Sequence, residues 1–327
     1  MLWHKCCGIG IYAILKKIAV VKPALVTLVT QPLCHGLFVG LLTLDLIYRV
    51  ERLPQPNEKL VASDYLAVAG GPATNAAIAY RHFSQSVVLL SVLGQHPLSQ
   101  HIAADLQAHQ VTLIDLAPSH PEPPPVSSIL VTQATGDRAI VSLNANRHQV
   151  SAQALHDAMV MEALQCSRVV LIDGHQMALG AAVAQQAKQH NIPVVVDGGS
   201  WKPSFDQVLR WTDYAICSAQ FRPPGCVTEQ QAVRYLQQLG VRHIAITRGD
   251  APIAYWYRGQ YQEISVPTIQ AIDTLGAGDI FHGVFCHKLT SMAEGDVESS
   301  AVPALQQAAA VAAEACTTFG TRQWMMR

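Results

Sequence analysis

Between about residue 151 and residue 250 the chain alternates between two hydrophobic rhythms. In ALHDAMVMEAL, MALGAAVAQQAKQHN and TEQQAVRYLQQLG the apolar positions recur at helical spacing, which predicts three helices. Between and after them lie short unbroken apolar runs, RVVLIDG, IPVVVDGG, YAICS and HIAITRG, which predict strands covered on both faces. Strands alternating with helices imply an α/β fold, a doubly wound and mostly parallel sheet.

The flanking segments extend this pattern. LFVGLLTL, SVVLLSVLG and VTLIDLA read as further buried strands, GGPATNAAIAYRHF leads into an alanine-rich helix, and another helix runs from near Leu98 to around His109. Two excursions differ in character. YRVERLPQPNEKLVASDYLAVAGG is polar and alternates in part, which suggests short strands projecting from the main sheet. VSSILVTQATGDRAIVSLN, set off by the stiff PSHPEPPP, reads as a hairpin turning at Thr135-Gly136-Asp137. Together, at approximately 46–68 and 126–143, they predict a small β lid. A final hairpin, APIAYWYRGQYQEISVP, precedes a glycine-rich motif, and the helix PALQQAAAVAAEAC closes the domain.

Half of the 327 residues are apolar and 14% are charged, enough for a large buried core, and the formal net charge is −1. With no basic tail or run, neither nucleic acid nor an anionic membrane is an expected partner. The eight cysteines show no C-x-x-C spacing and read as reduced thiols of a cytoplasmic protein. From Pro23 to Leu44 no residue is charged, which raises the question of a membrane helix. Pro32, His35, Gly36 and Gly40 interrupt that run, and its second half reads better as a strand. Lys16, Lys17 and Lys22 precede it as in a signal peptide, but no small-residue cleavage site follows. Residues 1–36 are therefore expected to be a leader outside a domain spanning 37–327.

The strongest chemical signal is Asp273-Thr274-Leu275-Gly276-Ala277-Gly278-Asp279 before the apolar helix IFHGVFCHKL. Small residues at a helix start let the free N–H groups approach an anion, and the helix dipole adds positive charge. Such a turn suits a phosphoryl group in flight, with Asp279 placed to accept a hydroxyl proton. The same residues also read as a tight turn in which Asp279 caps the helix. The motif resembles the carboxy-terminal signature of the ribokinase-like PfkB carbohydrate kinases. Gly70-Gly71-Pro72-Ala73-Thr74-Asn75-Ala76-Ala77 resembles that family's amino-terminal sugar-binding pattern, and VGLLTLDLIYRVERLP resembles its first strand, ending on Asp45.

The resemblance runs from about residue 37 to the end and implies a sugar kinase. It assigns Asp279 as base, Gly276, Ala277 and Gly278 as the anion hole, and Asp45, Gly70, Gly71 and Asn75 as sugar ligands. ATP would meet Thr247, Arg248 and Gly249 in the turn ITRGD, together with Thr274, with Arg248 adding positive charge. Mg²⁺ would be held mostly by phosphates and water. A monovalent cation such as K⁺ near Asp273 is a further implication. Gly136-Asp137-Arg138 resembles the lid turn, and Cys316–Thr321 falls where the family closes its adenine pocket. Three segments depart from the family: Gly94–Ser99 lacks G-x-D-x-x-G, Ser218-Ala219-Gln220-Phe221 replaces N-x-x-E, and Ala251-Pro252 follows the ATP turn.

The motifs look most like the ketohexokinase and sulfofructose-kinase branch, which implies a ketose substrate. Arg138, Asn144, Asn146, Arg147 and His175 are polar candidates for its pocket. A nucleoside kinase of the same fold, or a catalytically weak binding relative, are the other readings. A nicotinamide enzyme is excluded for want of G-x-G-x-x-G after the first strand. Exposed lid strands need covering, so a homodimer through the lid is expected.

Overall fold

The computed structural model describes residues 35–84, 86–143, 149–291 and 297–326. Residues 1–34 of the expected leader and the candidates Asn144, Asn146 and Arg147 lie outside the described residues.

The chain begins with β1 (His35–Val39), β2 (Thr43–Val50), β3 (Asp64–Gly70) and α1 (Pro72–Phe83). It continues through β4 (Val87–Ser91), α2 (Pro97–Ala108), β5 (Thr112–Asp115), β6 (Val126–Thr132) and β7 (Arg138–Ser142). The α/β series follows as α3 (Ala158–Gln165), β8 (Ser167–Ile172), α4 (Met177–Gln189), β9 (Val194–Gly198), α5 (Phe205–Leu209), β10 (Tyr214–Ser218) and α6 (Glu229–Gln238). The end of the chain contributes β11 (His243–Arg248), β12 (Ala251–Tyr257), β13 (Gln260–Ile264), α7 (Ala277–Ser291) and α8 (Val297–Ala315).

Among the described residues, nine strands form one sheet in the order β13-β12-β11-β10-β9-β8-β1-β4-β5. Only β12 and β13 run antiparallel to their neighbours. Alternate residues of the central strands point to opposite faces. Phe38, Leu171 and Val195 pack with α1, α2, α7 and α8, while Leu37, Val170 and Val196 pack with α3, α4, α5 and α6. The sheet is thus buried on both sides, as its unbroken apolar strands require.

A second sheet runs β3-β2-β6-β7, with β2 and β6 parallel and the outer pairs antiparallel. Its inner residues Ile47, Ile129 and Val131 pack on Leu275 and Phe319, beside the glycine-rich turn.

Three elements differ from the sequence reading. LFVGLLTL is not one strand but two, β1 in the large sheet and β2 in the small one. Hydrophobicity reports burial and not which sheet a segment joins, and the crossing at Gly40–Leu42 is fastened by a distant residue. The Asp173 carboxylate accepts from Leu41 N at 2.8 Å, and a Cβ on Gly40 would fall 2.0 Å from Asp173 Oδ1. Asp45 consequently sits within β2 of the small sheet and does not end the first strand. ALHDAMVMEAL is broken at Asp157, whose extended backbone and side chain cap α3 by accepting from Met159 N at 2.8 Å. The closing helix starts earlier, at Val297, and carries Pro303 inside it.

Candidate active site

The glycine-rich turn is shaped by two close approaches. Gly276 has φ 72°, a conformation that favours glycine, and a Cβ there would meet Thr321 Cγ2 at 2.7 Å. At Gly278, the second residue of α7, an added Cβ would meet nothing within 4 Å, so the space over the helix start is open. Among the described residues the N–H groups of Gly276, Gly278 and Asp279 find no protein acceptor. Unpaired donors at a helix start, where the dipole is positive, form a cradle for an anion. The phosphates of ATP fit this cradle.

Asp273 fastens the turn, accepting from Leu275 N and Gly320 N at 2.8 Å each. Burial pushes its carboxyl up, against the pull of those two hydrogen bonds and of Arg138 and Arg49. Thr274 Oγ1 donates to Gly136 O at 3.1 Å and accepts from Arg138 Nη1 at 3.0 Å. The turn of the small sheet therefore rests on the glycine-rich turn, and Arg138 brings a positive charge to it.

Asp279 is half-buried, and Asn75 Nδ2 donates to its Oδ2 at 2.8 Å. Among the described residues Oδ1 has no partner, which leaves one oxygen free to take a proton. Burial pushes the Asp279 carboxyl up to about 6, with the Asp197 charge adding to the effect. The Asn75 hydrogen bond and the charges of His282 and Arg138 oppose it.

The other sugar-ligand candidates stand on neighbouring elements. Thr43 Oγ1 donates to Asp45 Oδ1 at 2.6 Å, and a Cβ on Gly70 would lie 1.9 Å from Asp45 Oδ2. Gly70 thus gives the carboxylate its space. Burial raises the Asp45 carboxyl, while Thr43, Ser127 and Arg322 pull it down. Gly71, with φ 99°, turns β3 into α1, and a Cβ there would strike Leu41 O at 2.4 Å.

On the nucleotide side the candidates lie at the end of β11. Arg248 does not offer a free charge: its Nε donates to Glu229 Oε2 at 3.1 Å and its Nη2 to Glu229 Oε1. Glu229 sits in the first turn of α6, so the pair is held between β11 and that helix. Thr247 Oγ1 donates to Cys217 O at 3.4 Å, and Gly249 turns the chain at φ 69°. In place of N-x-x-E, Ser218 Oγ donates to Gly199 O at 2.6 Å and accepts from Gln220 N, a turn without an acid. Among the described residues no group of three or more His, Cys, Asp or Glu side chains can hold a metal ion. A Mg²⁺ at this site would be held by phosphates and water.

Four important residues were not singled out from the sequence for these roles. Asp173 accepts from Leu41, Ala73 and His175 backbone N–H groups, tying β1, α1 and β8 together. Burial pushes its carboxyl up, but His175 and these donors outweigh that and hold it below the usual range. The candidate His175 is buried behind the site, its Nδ1 3.1 Å from Asp173 Oδ1. His282 lies one turn below Asp279, with Nδ1 2.6 Å from Gly278 O and Nε2 3.2 Å from Ile216 O. Asp197 Oδ2 lies 3.6 Å from the same Nδ1, so the ring stands between the helix start and β9. Arg322, the fourth, is buried against Asn75. A signal for two of these existed: Asp173 and Asp197 end or follow apolar strands, where open α/β sheets bind ligands.

Residues 36–326 match the pfkB family carbohydrate kinase description. A ribokinase of Lactococcus lactis is 23% identical over 261 residues, 77% of this chain and 82% of that protein. A deoxyribokinase of Salmonella typhi is 24% identical over 301 residues, 87% and 93% of the two chains. The solved ribokinase of Giardia lamblia superposes with a TM-score of 0.76 at 18% identity, covering 90% of this chain and 98% of that one.

Proposed function

Since the chain belongs to the pfkB family of carbohydrate kinases, we propose that it transfers the γ-phosphoryl group of ATP in line to a sugar hydroxyl, with Asp279 as the base. ATP with Mg²⁺ is the phosphoryl source, and Mg²⁺ supplies charge neutralisation between the phosphates. The observation that carries this reading is the free Oδ1 of Asp279 beside the unpaired N–H groups of Gly276 and Gly278. One group accepts the hydroxyl proton while the others hold the phosphoryl oxygens. Asp45, Gly70, Gly71 and Asn75 bind the sugar, Arg138 ties the small sheet to the glycine-rich turn over it, and Thr247, Arg248, Gly249 and Thr274 border the nucleotide. A K⁺ ion near Asp273 remains part of this reading.

The substrate is a ketose, a ketohexose above all, on the likeness of DTLGAGDIFHG and GGPATNAA to the ketohexokinase branch. An aldopentose is the second reading, favoured by the ribokinases and deoxyribokinase among the relatives. Two copies meet through the small sheets, where Tyr65, Val141 and Leu143 are exposed apolar residues. The cytoplasm, with its ATP and reducing conditions, is the setting that suits the free thiols at Cys166, Cys217, Cys226, Cys286 and Cys316. Among the described residues no helix is long and apolar enough to cross a membrane.

The test is ADP release with ATP and Mg²⁺ over ketohexoses, pentoses, sulfosugars and nucleosides, with Asp279→Asn as control. Saturable turnover on a ketohexose, absent from the control, is expected. Turnover confined to ribose or deoxyribose selects the aldopentose reading, and turnover confined to nucleosides overturns both.

A further inference from the structure

Asn75 meets Asp279 through an amide that is free, in principle, to turn over. Rotated by half a turn, it would present its carbonyl to the carboxylate, two acceptors face to face. What prevents this lies at the other end of the chain. Arg322 Nη1 donates to Asn75 Oδ1 at 2.9 Å and to Thr321 Oγ1 at 2.8 Å, and Nη2 donates to Ala69 O at 2.6 Å. A guanidinium only donates, so Oδ1 must face it, and Nδ2 is then directed at Asp279.

Arg322 is 8% exposed, and among the described residues its Nε has no hydrogen-bond partner. Asp105, whose Oδ2 is 3.9 Å from Nη2, faces it from α2 and also accepts from Ala69 N. Burial lowers the guanidinium's hold on its proton, and Asp105, Asp45 and Asp279 offset only part of this. A buried cation with an unmet donor is costly where a packed apolar side chain would serve. Its orientation towards Asn75 and the Gly70 segment gives it a task beyond packing.

We propose that Arg322 is a positioning residue for phosphoryl transfer, locking the Asn75 amide so that it holds one oxygen of Asp279 and leaves the other free for the substrate hydroxyl. This rests on the reading of Asp279 as the base. The groups facing Asp279 are Asn75 on α1, Asp197 on β9, His282 on α7 and Arg138 on β7, and the charge of Arg322 itself also acts on it. Only Asn75 among them is under the direct control of Arg322.

A cavity of about 330 Å³, lined in part by Ile78, Arg81, His82, His109 and Met325, opens onto Arg322. It gives a small cation a route to the space a truncated side chain would leave. The experiment is steady-state kinetics of Arg322→Ala over a pH series, with and without low-millimolar guanidinium, beside Asp279→Asn. Expected in Arg322→Ala are a kcat at least about tenfold lower with KM for ATP unchanged, and an acid limb of kcat/KM moved to higher pH. Guanidinium should restore part of kcat, which a purely structural loss would not permit. If the alanine variant does not fold, Asn75→Asp carries the test. It keeps the Arg322 contact but sets a carboxylate against Asp279, so the acid limb should again rise. Unchanged kcat and acid limb in Arg322→Ala, or an unmoved limb in Asn75→Asp, overturns the proposal while an inactive Asp279→Asn upholds the base. Full activity in Asp279→Asn overturns the base itself.

Discussion

Asn75 and Asp279 lie 204 positions apart in the chain and 2.8 Å apart in the fold. Their hydrogen bond joins the helix that begins at the first glycine pair to the helix that begins at the second. It fixes one carboxylate oxygen of Asp279, while the other has no partner among the described residues.

The raised Asp279 carboxyl sets a pH dependence. A base works only when deprotonated, so kcat/KM should fall as pH drops through about 6, with a plateau above. A pH–rate profile checks this, and a flat profile down to pH about 4.5 would oppose it.

Stability should show the opposite sign. Folding raises this carboxyl from its ordinary value of 3.8, so the native state favours the protonated form. The contribution is present at low pH and is lost as pH rises through about 6. Asp279→Asn, which mimics the protonated acid, should therefore melt higher than the parent protein at pH about 8. The gap should close on acidification, as thermal melts at both pH values would report.

The two glycines of the turn should respond differently to alanine. Gly276→Ala meets both a positive φ and Thr321 at 2.7 Å, so it should lower stability by about 1–3 kcal/mol. Gly278→Ala lies in open space at a helix start and should leave stability equal or slightly higher. Its methyl group would narrow the anion cradle, so kcat should fall while the melting temperature holds. Chemical denaturation together with kinetics separates the two.

Asp173 should matter for stability more than for chemistry. It accepts three backbone N–H groups while buried, and Asp173→Ala leaves them without acceptors. A loss of about 2 kcal/mol or more is expected in denaturant titration. Because folding lowers this carboxyl, its contribution holds above the usual carboxylate range and is lost as pH falls below it.

Most of the fold was legible in the sequence, and so was the turn of small residues on which the proposed site is built. Apolar runs of strand length, alternating with helical spacing, are enough to indicate a doubly wound sheet. Asp279 stands in a motif of small residues that few other contexts call for. The break of LFVGLLTL into two sheets was not legible, because its cause is Asp173, 132 positions beyond Leu41. Arg322 was not legible either. A lone arginine near a chain end reads as a surface residue, and only the folded chain brings it to Asn75, 247 positions away. The pairing of Arg248 with Glu229 likewise depends on a helix packing beside a strand end.

The most direct test of the account is phosphoryl transfer by Asp279→Asn, measured together with its affinity for ATP. The account predicts transfer lowered by about a hundredfold or more with ATP affinity largely kept, since the Gly276–Gly278 cradle is intact. Transfer at the parent rate in that variant would contradict it.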